Sequence, residues 1–298
     1  MLSLKEPIFS GIATAVVTPF MEDRIDFAAY DAILDQQLAA GIPALVVTGT
    51  TGEASTLTVE EKLALWRHSI SYVNGRCKII AGVGTNCTAM SVILAEQAAA
   101  CGADGLLAVT PYYNKCTQEG LVRHYFAIAD ATVLPLIVYD VPSRTGVQIR
   151  PETCARLAEH PRINGIKYAG SDIVTATEIC RLCGNALHLW CGNDDQCVPT
   201  MAVGGVGLIS VLSNILPSET ARMCDLCLAG KYREAATLQR QYLPLIRALF
   251  SQPNPIPVKA ALEYLGLCRQ DVRLPLTHMS DEAASSLRKA LLSLQKLK

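Results

Sequence analysis

The chain has 298 residues, of which 50% are hydrophobic and 18% charged, with a formal net charge of −1. This composition fits a folded protein with a large core and excludes a disordered chain. So balanced a charge excludes global attraction to nucleic acid or to an anionic membrane, and no apolar run reaches the roughly 18 residues that a membrane helix needs.

The first apolar run, "GIATAVVTPF" (residues 11–20), contains Ala13-Thr14-Ala15, which mimics a signal-peptidase site. The segment before it carries Lys5 and Glu6 and no sustained apolar stretch, so it reads as a first buried strand and the protein as cytoplasmic. Seven similar runs follow, at 44–51, 78–85, 103–111, 134–142, 163–170, 186–194 and 205–214. Each is short and almost continuously apolar, as a strand covered on both faces must be. Helical spacing fills most gaps, as at 27–41, 58–75 and 88–102, each closing on a glycine. The second of these opens with Thr58 three residues before Glu61, a capping-box pattern.

Eight strands with intervening helices predict an α/β fold, a (β/α)8 TIM barrel. The competing doubly wound sheet lacks its fingerprint, since "GVGTNC" (82–87) has Cys87 where a third glycine belongs. Roughly 80 mostly helical residues follow Asn214. The expected organisation is a catalytic barrel over 1–225 and a C-terminal helical extension, 226–298, packed on it. Within the extension "PNPIPVK" (253–259) reads as a rigid, extended break.

Twelve cysteines in a long chain of this patterning read as reduced, small hydrophobes. The two C-x2-C pairs, Cys180/Cys183 and Cys224/Cys227, lie in helical segments 40 residues apart, whereas zinc ribbons have about 15–20 between pairs. The histidines at 68, 124, 160, 188 and 278 have no ligand-like spacing. Neither a metal nor a cofactor is expected. Asp194 and Asp195 read better as caps of the following helix than as metal ligands.

Active sites of such barrels form at the C-terminal ends of the strands. Those ends read Thr18-Pro19-Phe20, "GTTGE" (49–53), "TPYYN" (110–114), "YDVPSRTG" (139–146), Lys167 within "GIKYAG", and "CGNDD" (191–195). Lys167 alternates with Ile163, Gly165 and Ala169 on one strand face. Burial favours the neutral form of an amine, the nucleophile that a carbonyl needs, so a Schiff-base lysine is one reading. A lysine snorkelling at a strand edge or paired with a buried carboxylate is the other. Tyr139, on the neighbouring strand, could pass protons through a second hydroxyl such as Thr50, or could be a packed strand-end ring. "GTTGE" suits a carboxylate or phosphate, or is an ordinary tight turn. Arg144 could fork onto a carboxylate or form a surface ion pair.

Taken in this order, "GTTGE", "TPYYN", "YDVPSRTG", "GIK" and "NPIPVK" resemble the dihydrodipicolinate synthase family over nearly the whole chain. That family belongs to the N-acetylneuraminate lyase superfamily of pyruvate-handling class I aldolase barrels. The resemblance implies that Lys167 forms an imine with pyruvate, and that Thr50, Tyr139 and Tyr113 relay protons, Tyr113 entering from a neighbouring subunit. It implies that Thr51 and the backbone of its turn hold the pyruvate carboxylate. Gly192 and Ile209 would line the pyruvate pocket through their backbones, and Arg144 would hold the carboxylate of L-aspartate 4-semialdehyde. The implied assembly is a homo-oligomer, a tetramer built as a dimer of dimers. The implied place is the first committed step of lysine and diaminopimelate biosynthesis.

Sugar-acid aldolases of the superfamily usually lack a basic residue where Arg144 stands, and a catalytically inactive pyruvate-binding sensor would not need Lys167, Tyr139 and Thr50 together. Some positions depart from the family pattern. Asp140 replaces a usual Asn, and Tyr168 stands where an acidic residue commonly follows the lysine; being on the opposite strand face, it should alter packing rather than chemistry. Members inhibited by lysine commonly place a Glu where Met90 stands and often a His at Val59, while Asn86 and Tyr112 remain. A thioether cannot pair an ammonium, so weak or absent lysine feedback is expected.

Overall fold

The structure, a computed structural model, describes residues 4–296. The outermost residues of the two expected units, 1–3 and 297–298, lie outside the described residues. Eight parallel strands close into a barrel in chain order. They are Gly11–Ala15, Ala44–Val47, Lys78–Gly82, Gly105–Val109, Leu136–Asp140, Ile163–Tyr168, His188–Cys191 and Gly207–Ser210. The first run does not stay a strand to Phe20. It ends at Ala15, and a small antiparallel hairpin follows, Phe20–Met21 against Arg24–Ile25. Pro19 has no N–H for a ladder, and Glu22 and Asp23 turn with φ of 52° and 63°.

Alternation sorts the strand side chains into two cores. Ala13, Val46, Ile80, Leu107, Ile137 and Ile209 point into the barrel. Ile12, Leu45, Ile79, Leu106, Val138 and Ile166 pack outward against the helices. Gly165 is dictated by a neighbour, because a Cβ there would meet Trp190 Cζ3 at 2.3 Å. The Trp190 ring therefore fills the barrel interior, and Phe9 stacks on it with centroids 5.0 Å apart.

The capping box forms, with Thr58 N donating to Glu61 Oε2 at 2.9 Å and Glu61 N to Thr58 Oγ1 at 3.2 Å. That helix, Val59–Val73, closes on Asn74 with a left-handed φ of 46°, one residue before the glycine that pattern alone suggests. The helix Thr88–Cys101 ends on Gly102 with φ 92°.

Beyond the barrel, the helices Tyr232–Leu249, Ile256–Tyr264 and Asp281–Ser293 share a core with Val17, Ile33 and Leu212 from the barrel end. "PNPIPVK" is not an extended break: a helix starts inside it. Pro255 caps that helix and Pro257 sits in its first turn, where a missing N–H forfeits no helical hydrogen bond. Among the described residues, no helix is long and apolar enough to cross a membrane.

Candidate active site

The second barrel strand runs into a tight turn, residues 48–53. Thr48 and Glu53 adopt left-handed φ values of 58° and 55°, costly for side-chain residues and most of all for a β-branched one. The surroundings hold this turn at several points. The Thr48 hydroxyl sits 2.7 Å from the Val47 carbonyl and accepts from Trp66 Nε1 at 2.8 Å. The Thr18 hydroxyl donates to the Gly52 carbonyl at 2.8 Å. Glu53 is buried, and its Oε1 accepts from Lys259 Nζ at 2.5 Å while its Oε2 accepts from Arg273 N at 3.0 Å.

Lys259 is fully buried, donates also to the Asp271 carbonyl at 2.6 Å, and lies 4.2 Å from the Phe20 ring centroid. Burial lowers its pKa from the ordinary lysine value, and the Glu53 carboxylate opposes that shift. Arg273 in turn grips Glu61 and Asp23. Sequence reasoning assigned no role to Glu53, Lys259, Arg273 or Asn254. One signal was available: Lys259 interrupts the apolar run "IPVKAAL", the same anomaly that Lys167 presents in its strand.

Barrel strands five and six bring Tyr139 and Lys167 into register. Lys167 is 5% exposed, and its Nζ lies 4.2 Å from the Tyr139 ring centroid. Among the described residues it has no ion pair. The Tyr139 backbone is fixed by Thr110, whose amide and hydroxyl donate to its carbonyl at 2.8 and 2.9 Å. Asp140 is fully buried, with Oδ1 accepting from Ile149 N at 3.1 Å and Oδ2 without a partner among the described residues. Burial pushes its carboxyl up to about 7. The Asp140–Ile149 bond closes the loop that carries Arg144. Tyr168, on the outward face, is buried and donates its hydroxyl to the Asp172 carbonyl at 2.9 Å.

Over the strand ends lies a cavity of about 300 Å³ whose walls include Thr50, Tyr139, Arg144, Tyr112, Lys62 and Asn254. Thr50, Tyr139 and Arg144 thus meet in one space, with Lys167 in contact with Tyr139. Thr51 is buried and accepts from Asn254 Nδ2 at 2.9 Å. Ile209 packs in the inner core with Tyr139, and Gly192 N donates to the Tyr168 carbonyl at 2.7 Å. Tyr113 is not brought to the cavity of its own chain: it is 89% exposed, with a left-handed φ of 73°. Met90 is exposed and Val59 half-buried on their helices, while Asn86 accepts from Asn114 Nδ2 through its carbonyl at 2.8 Å.

Asp194 does not cap the helix after it. Its carboxylate is buried and turns back to the eighth strand, accepting from Ser210 Oγ at 2.5 Å and from the amides of Val211 and Leu212 at 3.0 and 3.1 Å. Among the described residues the amides of Val211 and Leu212 find no other acceptor, which makes them stronger claimants than a neighbouring helix. Cys224 faces Cys197 with sulfurs 3.8 Å apart, and all twelve cysteines are free. Among the described residues, no group of three or more His, Cys, Asp or Glu is placed to hold a metal ion.

The family model described as "Dihydrodipicolinate synthetase family" matches residues 8–294. A 4-hydroxy-tetrahydrodipicolinate synthase of Alkaliphilus oremlandii is 48% identical over 274 residues, 92% of this chain and 94% of the relative. The crystal structure of dihydrodipicolinate synthase from Thermotoga maritima superposes with a TM-score of 0.96 at 40% identity, covering 97% of this chain and all of that one. A chloride-inhibited dihydrodipicolinate synthase from Acinetobacter baumannii, solved in complex with pyruvate, superposes with a TM-score of 0.95 at 40% identity, over 97% of this chain and 99% of that one.

Proposed function

This chain belongs to the dihydrodipicolinate synthetase family, and we propose that it is a lyase acting as a 4-hydroxy-tetrahydrodipicolinate synthase, condensing pyruvate with L-aspartate 4-semialdehyde on Lys167. The carrying observation is the pairing of Lys167 with Tyr139 in the barrel wall, beside a cavity that also holds Thr50 and Arg144.

In this reading the Lys167 amine attacks the keto carbon of pyruvate, and water leaves as the imine forms. Loss of a methyl proton gives the enamine, which attacks the aldehyde carbon of the second substrate. The amino group of that substrate then closes the ring and displaces Lys167. Tyr139 and Thr50 carry protons to and from these intermediates, with Tyr113 of a neighbouring subunit completing the relay. Its side chain stands out from its own chain, which suits donation to another. Thr51 and its turn hold the pyruvate carboxylate, and Gly192 and Ile209 bound the pyruvate through their backbones. Arg144 takes the semialdehyde carboxylate, which favours this substrate over the neutral chain of a sugar-acid aldehyde.

The working form is a homotetramer in the cytoplasm, built from a catalytic barrel over 1–225 and the extension 226–298. Lysine feedback is weak or absent, because Met90 offers no carboxylate and the cavity wall carries Lys62, which has no ion pair among the described residues.

Incubation with pyruvate and borohydride should add mass at Lys167. Assays of the semialdehyde against sugar-acid aldehydes then separate the synthase from an aldolase. No adduct, or turnover of sugar-acid aldehydes alone, would sink the reading.

A further inference from the structure

The turn read above as the pyruvate-carboxylate site is not held by the barrel alone. Asn254 lies in the C-terminal extension, 203 residues along the chain from Thr51, and is 6% exposed. Its Nδ2 donates to Thr51 Oγ1 at 2.9 Å. Its backbone carbonyl lies 3.4 Å from Arg144 Nη2. Asn254 also lines the cavity. One residue outside the barrel therefore touches both groups assigned to substrate carboxylates.

A hydroxyl has one proton to give and two lone pairs to receive with, whereas an amide nitrogen can only donate. Asn254 Nδ2 therefore fills an acceptor position of Thr51 and leaves its proton unclaimed. No acceptor for that proton is found among the described residues. A carboxylate can only accept. With the amide turned the other way, Oδ1 would take the Thr51 proton and compete with the substrate for it. As the side chain stands, Oδ1 is buried and has no hydrogen-bond partner among the described residues.

We propose that Asn254 is a positioning residue, which orients the Thr51 hydroxyl so that its proton meets the pyruvate carboxylate, while its carbonyl restrains Arg144. The C-terminal extension is thereby part of the substrate-recognition machinery. This rests on the assignment of Thr51 made under the proposed function. Lys259, five residues on, anchors the same turn through Glu53, so the extension holds the turn at two points, Thr51 and Glu53.

The test is a double-mutant cycle read in the KM for pyruvate at saturating semialdehyde. Asn254→Ala should raise that KM about tenfold with kcat changed less than about threefold, the loss of one hydrogen bond to a charged group. On a Thr51→Val background the same change should move KM less than about twofold, because the hydroxyl that Asn254 acts through is gone. Asn254→Asp should cost at least as much as Asn254→Ala, since a carboxylate in that place takes the Thr51 proton for itself. Equal penalties on both backgrounds, or a near-normal Asn254→Asp enzyme, would overturn the proposal. Should Asn254→Ala not fold, Asn254→Asp and Thr51→Val close the same cycle. Absence of a borohydride adduct in the unaltered protein would instead overturn the function itself.

Discussion

Lys167 and Lys259 are both buried, and each nitrogen lies 4.2 Å from an aromatic ring centroid. Their company differs. Lys259 meets the Glu53 carboxylate at 2.5 Å and the Asp271 carbonyl at 2.6 Å, whereas Lys167 has no ion pair among the described residues. A buried cation held by a carboxylate and a carbonyl is fixed in place and cannot react without orphaning its partner. A buried amine without a carboxylate is free to change partners, which imine formation demands. Burial alone therefore does not mark a nucleophile; on the proposed reading, the lack of a direct ion pair is what separates Lys167 from Lys259.

Substitution separates the two lysines. Lys167→Met should reduce turnover at least about 10³-fold and abolish pyruvate trapping, by removing the proposed nucleophile. Its unfolding midpoint in urea should stay at or above that of the unaltered protein, since no carboxylate is orphaned. Lys259→Met should show the opposite order of effects. It leaves the Glu53 carboxylate buried with no ammonium, at a cost of about 3–5 kcal/mol in the same urea titration. Adding Glu53→Leu should recover most of that stability. A Lys259→Met protein as stable as its parent would break the contrast.

Asp140 extends it to a buried acid with half its partners. Its carboxyl is raised to about 7 from an ordinary 3.8, so between those values the folded chain holds a proton that the unfolded chain has released. Stability is greatest below about pH 4 for this group and falls as pH rises through about 7. The full loss is at most about 4 kcal/mol. Asp140→Asn should erase that slope and stabilise the protein at pH 8. Parallel pH profiles for the two proteins would show that the carboxyl is not held protonated.

Lys62 supplies the smallest expected effect. It lines the cavity, has no ion pair among the described residues, and burial lowers its pKa. Millimolar lysine should change the rate less than about twofold. Half-inhibition by micromolar lysine would mean that the cavity accepts a second ammonium despite Lys62.

The barrel was legible because each strand is a local apolar run and each helix start or stop has a local signal, as with Thr58 and Glu61. The mouth could be listed because strand ends follow from strand positions, which put Tyr139 beside Lys167 and Arg144 just beyond. What escaped was long-range partnership. The bond from Asn254 to Thr51 and the pair of Lys259 with Glu53 span more than 200 residues, and no periodicity encodes them. Asp194 carried the right chemistry for capping, but its donors came from the next strand rather than the next helix. "PNPIPVK" misled because proline is equally at home in an extended segment and in the first turn of a helix.

Trp190 and Phe9, stacked across the barrel interior, have a consequence for traffic. Phe9 precedes the first strand, so the stacked pair fills the barrel on the side away from the cavity that Tyr139 and Arg144 line. On the proposed reading both substrates would then share the approach through that cavity, and molecules sharing one approach must queue. The keto acid would have to arrive before the semialdehyde, and the product would have to leave before the next keto acid enters.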